Sequence, residues 1–203
     1  ELYRRAHTPF GWHRQLFRLA KEHGMMGFST VFDLPALEFL EGLNCPAYKI
    51  ASFELVDLPL IREVAATGKP LILSTGMATT KEIDEALSVA FAAGASVVTL
   101  LKCTSAYPAP YTEVNLATMR HMRFSMPWNQ ETWSLKFGLS DHTKGIGVAI
   151  AAACLGADMI EKHLCLEGIG SLDAAFSLTP SEFSEMVKGC RQVEHSLGQP
   201  QYG

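Results

Sequence analysis

The chain has 203 residues, 48% of them hydrophobic and 19% charged, which is enough apolar material to bury the core of one domain. Its formal net charge is −4 and it has no basic stretch or basic–aromatic surface, which argues against a nucleic-acid partner. No apolar run reaches the ~20 residues that span a bilayer. The five cysteines are scattered and show neither metal-ribbon spacing nor a disulfide framework, a pattern that fits a reducing cytoplasm.

In chain order, Trp12–His23 reads as a helix ended near Gly24. The apolar runs Met26–Phe32, Ala47–Ala51 and Leu71–Ser74 follow, each short and bounded by turn signals, as strands buried on both faces are. Thr79-Thr80-Lys81-Glu82 is a capping box, and Ile83, Ala86, Leu87 and Ala90 then fall on one helical face before Gly94 stops the helix. Three further runs are Val97–Lys102, Phe137–Ser140 and Met159–Lys162. Thr179-Pro180-Ser181-Glu182 opens a last helix, with Pro at its first position and Phe183, Met186, Val187 and Cys190 at helical spacing.

Strands alternating with helices imply a parallel sheet with right-handed crossovers, either open and doubly wound or closed as a barrel. The polar strand ends decide between them: Thr30, Lys49 with Ser52, Ser74, Lys102 with Ser105, Ser140 with His142, and Lys162 with His163. An open sheet gathers its site at one switch point, whereas a barrel brings every carboxyl strand end into one ring. The expected fold is therefore a TIM (β/α)8-type barrel. A full barrel takes about 250 residues, so six strand runs imply an incomplete one with two β/α units missing.

Ser140-Asp141-His142 and Glu161-Lys162-His163 place two histidines just after apolar runs that read as adjacent strands. Imidazoles so placed suit one shared divalent metal, although a lone histidine is more often a satisfied, partly buried residue. Asp173 follows soon after and either adds a carboxylate or merely shapes a turn. Thr30, Ser52, Ser74, Thr75 and Ser140 supply hydroxyls, and Lys49 and Lys102 supply charge, a set suited to a small multiply anionic ligand such as a phosphate ester. The turn Ser74-Thr75-Gly76-Met77 leads into a helix whose bare amides attract phosphate. Strand-end lysines also fit a Schiff-base aldolase. Pro108 and Pro110 stiffen the loop after Val97–Lys102, which either holds Tyr107 over a pocket or is a rigid connector.

Several of these segments together resemble the N-acetylneuraminate (sialic acid) synthase family. They are Phe28–Asp33, Tyr48–Glu54, Ser74–Met77, Leu101–Pro108, Gly138–Thr143 and Ile160–His163, in the family's order and at nearly its spacing. Lys49–Glu54, Leu101–Pro108, Asp173–Leu178 and the opening Ala6–His13 are most similar to its pseudaminic acid synthase branch. The resemblance implies condensation of phosphoenolpyruvate with an N-acetylated amino sugar, releasing phosphate and giving a nine-carbon nonulosonic acid. It implies that Thr30, Lys49, Ser52, Ser74, Ser105 and Ser140 hold phosphoenolpyruvate and that His142 and His163 bind Mn²⁺, Mg²⁺ or Co²⁺. Glu54, Tyr107 and Asp173 would face the sugar, with His163 also serving in catalysis.

The same resemblance implies that the family's first two strands, with a catalytic Glu and a Lys, lie upstream of Glu1. Its C-terminal antifreeze-like domain would begin beyond Gly203, so residues 1–203 are expected to be a partial barrel with little activity alone, cut from a homodimeric parent. The stretch from Met122 to Trp133 departs from the family and reads as a surface insertion or, through Trp128 and Trp133, a contact surface. Leu172 stands where the family usually has Pro. Three other readings remain at this stage: a neuraminate or legionaminate synthase, a Schiff-base aldolase, and a non-catalytic remnant that binds ligand or metal only.

Overall fold

A computed structural model describes residues 7–125, 133–167 and 170–202. Helix α1 (Phe10–Glu22) is followed by β1 (Ser29–Thr30), α2 (Leu34–Glu41), β2 (Tyr48–Ile50), α3 (Leu58–Ala66), β3 (Leu71–Ser74) and α4 (Thr80–Ala92). Then come β4 (Val97–Cys103), α5 (Ala117–Ser125), β5 (Ser134–Asp141), α6 (Gly147–Cys154), β6 (Met159–Lys162) and α7 (Pro180–Ser196). All neighbouring strands pair in parallel, in the order β1-β2-β3-β4-β5-β6. None of the described helices is long and apolar enough to cross a membrane.

The helices start where the sequence supplies caps. Asp33 accepts from the Ala36 amide (2.8 Å) and Asp57 from the Leu60 amide (3.0 Å), each with a proline in the first turn. Thr79 with Glu82 and Thr179 with Glu182 close full capping boxes at α4 and α7. Each cap satisfies amides that a helix start would otherwise leave bare and contributes about 1 kcal/mol.

Strand alternation divides the sheet into two faces. On one, Leu71, Leu73, Val98, Leu100 and Phe137 are nearly wholly buried and pack on Ile61, Val64, Ile83, Leu87 and Phe91 of the helices. On the other lie Thr30, Lys49, Ser74, Cys103, Ser140 and Glu161. Their register puts Thr30 beside Lys49, Cys103 beside Ser140 and Ser140 beside Glu161. Gly138 permits the close approach of β5 to β6, because a Cβ there would lie 2.1 Å from the Met159 carbonyl oxygen.

One contact decides between flat and curled. Lys49 on β2 and Glu161 on β6 form an ion pair at 3.6 Å. Four inter-strand spacings in a flat sheet amount to about 19 Å, beyond the combined reach of the two side chains. The sheet therefore curls into part of a barrel with its polar face inside, while β1 and β6 remain unpaired edges among the described residues.

Several boundaries differ from the sequence reading. The run Met26–Phe32 shrinks to Ser29–Thr30, and Met26, Phe28 and Phe32 are exposed because β1 has a partner on one side only. Helix α1 starts at Phe10, two residues early. Of the stretch from Met122 to Trp133, Met122–Ser125 is the last turn of α5, with Met122 buried, and β5 begins just past it at Ser134; residues 126–132 lie outside the described residues. Trp133 is not a free contact surface: its ring stacks on Phe91 with centroids 5.0 Å apart. Trp128 lies outside the described residues. Val187 is exposed on α7, whereas Met186 is buried.

Candidate functional site

The inner face at the carboxyl ends of the strands carries a connected polar network. The Lys49 ammonium donates to Ser74 Oγ (2.7 Å) and faces Glu161 Oε2, while Ser140 donates to Glu161 Oε1 (2.6 Å). Lys49, Ser74 and Ser140 are buried, and the Glu161 side chain is 38% exposed. Strands β2, β3, β5 and β6 thus each deliver one polar side chain to one place.

A second group sits beside it. Gly76 has φ +41°, and a Cβ there would lie 2.4 Å from Ser52 Cβ and 2.8 Å from Ser105 Oγ. The turn after β3, the 3-10 turn Ser52–Val56 after β2 and the loop after β4 therefore meet at a point only glycine can occupy without displacement. Ser105 Oγ and Glu54 Oε2 are buried and have no hydrogen-bond partner among the described residues. Buried polar atoms are nearly always paired, so both are prepared for something else.

The third group is aromatic and imidazole. His142 and His163, just past β5 and β6, have ring centroids 5.2 Å apart. Phe176 packs edge-on against both, at 6.0 and 4.8 Å, and Tyr107 lies 4.4 Å from His142. Backbone bonds from Ala109 N to His142 O and from Leu178 N to His163 O (both 2.9 Å) fix these tips. His142 Nδ1 lies 3.1 Å from the Thr104 carbonyl oxygen, and His163 Nδ1 lies 3.5 Å from Asp173 Oδ2. Each ring thus turns Nδ1 to an oxygen and leaves Nε2 available, the second-shell pattern of metal-ligating histidines.

Burial works to lower the pKa of His142, but the adjacent Cys103 thiol, 3.8 Å away, outweighs it and raises the value. Burial likewise works to raise the Cys103 thiol, yet His142 and the neighbouring serines bring it down. His163 is lowered, first by burial and then by the charge of His142. Among the described residues no group of three or more His, Cys, Asp and Glu side chains is arranged to hold a metal ion. The residues present fit a divalent ion held by two imidazoles, with its other positions left to water or substrate.

The structure thus brings together Lys49, Ser74 and Ser140; Ser52 and Ser105; and Tyr107, His142, His163 and Asp173. Thr30 joins only through its register with Lys49, and Glu54 is near by its place in the 3-10 turn. Two expectations fail. Lys102 is paired in register with Leu139 on the helix-facing side, so it supplies no charge to the ring. Lys162 is on that same side, where it pairs with Asp141 at 2.9 Å and donates to Thr143 O, the two side chains being 0% and 1% exposed. Sequence reasoning gave no role to Glu161, Cys103 or Phe176. Glu161 and Cys103 share strand parity with His163 and Ser105, a signal that was there to be used; Phe176 has none.

The NeuB family model matches residues 1–202. The pseudaminic acid synthase of Helicobacter pylori is 46% identical over 200 residues, covering 98% of this chain and 57% of that protein. The N,N'-diacetyllegionaminic acid synthase of Campylobacter jejuni is 39% identical over 189 residues, covering 92% and 54%. The solved N-acetylneuraminic acid synthetase of Leptospira borgpetersenii, in complex with citrate, superimposes with a TM-score of 0.88 at 27% identity, covering 98% of this chain and 67% of that one. The chain spans about half the length of the curated relatives it matches. With these six parallel strands, curled as barrel strands are, it belongs to the NeuB family.

Proposed function

We propose that this chain carries the phosphoenolpyruvate- and metal-binding half of a nonulosonic acid synthase site, of the pseudaminic acid type. The observation that supports it is the convergence of Lys49, Ser74 and Ser140 on the inner face, beside the His142–His163 pair. The likeness to a pseudaminic acid synthase at 46% identity supports the choice of branch.

In this reading Thr30, Lys49, Ser52, Ser74, Ser105 and Ser140 hold phosphoenolpyruvate. The unpartnered Ser105 hydroxyl and the Lys49 ammonium are ready donors for its oxygens. Glu161 holds Lys49 and Ser140 from behind, so that both are oriented before the ligand arrives. The pair of imidazoles holds a divalent cation, which supplies Lewis-acid polarisation of the sugar aldehyde when bound. Glu54, Tyr107 and Asp173 face the N-acetylated amino sugar, and Phe176 shields the imidazoles from one side.

The reaction joins the methylene carbon of phosphoenolpyruvate to the sugar's aldehyde carbon. The aldehyde oxygen takes up a proton and water adds at the former enol carbon; the bond from that carbon to the bridging oxygen then breaks, so inorganic phosphate leaves with the oxygen and the bonding pair, and the 2-keto acid forms. The role of this chain is to orient the two reactants and to place fixed donors where charge develops. Lys49 is held between Ser74 Oγ and the Glu161 carboxylate, a fixed position that suits binding an anion better than attacking a carbonyl.

The test has two arms. Calorimetry on the 203-residue chain is expected to show binding of phosphoenolpyruvate and of Mn²⁺. Residues 1–203 alone are expected to turn over slowly or not at all. A protein extended to its relatives' length is expected to release phosphate with the precursor of pseudaminic acid, and only with divalent metal present. Metal-independent turnover, or a chain that binds neither ligand, sinks the reading.

A further inference from the structure

Behind the β3–α4 turn lies a cavity of about 180 Å³ that the proposed reaction does not use. It is lined by Thr75, Thr80, Thr118, His121, Ser125 and Lys102, with Ile83 and Met122 among its apolar residues. Lys102 is 9% exposed. Its ammonium donates to the Cys103 carbonyl and to Thr104 Oγ1, both at 2.8 Å and both neutral. No carboxylate of the described residues lies within ion-pair distance of it. A buried ammonium without an anionic partner is costly, and burial accordingly lowers the pKa of Lys102. The two bonds leave one of its three N–H groups unassigned.

Two further features favour an anion here. The start of α4 is closed by the Thr79–Glu82 capping box, so Thr80 brings its hydroxyl to the cavity wall rather than bare helix amides. Four hydroxyls line the same space, and His121 adds a donor. Asp84 is the one acid in the lining and opposes an anion; the Lys102 ammonium offsets it. The volume admits an ion the size of phosphate.

We infer that this cavity is a second oxyanion site, built around Lys102 and sized for free inorganic phosphate, on the opposite face of β4 from the inner ring. It does not rest on the proposed reaction. Occupancy would bear on the ring all the same, because Thr75 and Gly76 belong to the cavity and directly follow Ser74. An ion there braces the turn against which Ser52 and Ser105 pack.

Inorganic phosphate is the probe. Since phosphate also suits the inner ring, the titration is run on the chain carrying Lys49→Met, which removes the ring's ammonium. One phosphate is expected to bind still, and adding Lys102→Met is expected to weaken it at least tenfold. No binding to the Lys49→Met chain, or an affinity that Lys102→Met leaves unchanged, overturns the inference. Should either variant fail to fold, crystals of the unaltered chain soaked in phosphate decide the matter. Density within hydrogen-bond distance of Lys102 Nζ supports the site, and an empty cavity refutes it.

Discussion

The tips of β5 and β6 carry two polar pairs, one on each face of the same two strands. Ser140 and Glu161 face inward, bonded at 2.6 Å, with Glu161 partly open to solvent and linked to Lys49. One residue further on, Asp141 and Lys162 face the helices at 2.9 Å and are 1% and 0% exposed. Each pair joins a carboxylate to a donor, a hydroxyl in one and an ammonium in the other, and the register is the same ladder. Strand parity sets which face each pair meets. The sealed pair has its valences filled: Asp141 also accepts from the Thr143 amide (2.9 Å), and Lys162 also donates to Thr143 O. The open pair leaves the Glu161 carboxylate partly exposed beside Lys49. The comparison teaches that in Ser140-Asp141-His142 and Glu161-Lys162-His163 the middle residues are sealed against the helices, whereas Ser140 and Glu161 face the inner ring.

The largest effect should come from the sealed pair. Lys162→Met leaves the Asp141 carboxylate buried without its cation, which costs roughly 3–5 kcal/mol. Chemical denaturation of the variant measures it, and a loss under about 1 kcal/mol would mean that Asp141 is not sealed as described. On the open side, Lys49→Met removes the one ammonium of the ring and should cost about 2–3 kcal/mol in phosphoenolpyruvate binding, or roughly 30- to 150-fold in Kd. Calorimetry reads it; a Kd within threefold of the parent's would remove Lys49 from the site.

Much of this division was legible beforehand. The alternation of short apolar runs with helix caps announces a parallel β/α chain, and both threonine–glutamate boxes form as written. The ring of strand-end hydroxyls and the paired histidines follow from the same runs. Parity was the neglected signal. Lys102 was grouped with Lys49 because both end strands, yet it stands one residue out of phase with Cys103, which shares the inner face with Ser140. What sequence cannot carry is curvature. The Lys49–Glu161 pair joins β2 to β6 across a closing sheet, and nothing local to either segment encodes that meeting. Phe176 was hidden for a related reason: it lies in the stretch between β6 and α7, and the bond from Leu178 N to His163 O is what ties that stretch to the site.

Phe176 extends the comparison to packing. Phe176→Leu nearly conserves volume, so its cost should be about 1 kcal/mol. The ring, though, is what stands edge-on to both imidazoles. The Hε1 resonances of His142 and His163 should therefore both move in the variant, while amides around the sealed Asp141–Lys162 pair stay put. Unmoved imidazole resonances would show that Phe176 packs beside the site without setting it.

The smallest effect is expected at Glu161, and its smallness is informative. Glu161→Gln keeps an acceptor for Ser140 and removes the charge that faces Lys49. Water screens the pair at Glu161, 38% exposed, and the buried Lys49 keeps its bond to Ser74, so the loss of stability should be within about 1 kcal/mol. A carboxylate removed from the helix-facing side of the same ladder, by Asp141→Asn, leaves the buried Lys162 ammonium unpaired and should cost several-fold more. Denaturation curves of the two variants side by side test the division of faces, because each variant removes one carboxylate charge that faces a lysine. Equal losses would mean that Glu161 is part of the fold's framework, and the inner ring would then lose its claim to be held ready for a ligand.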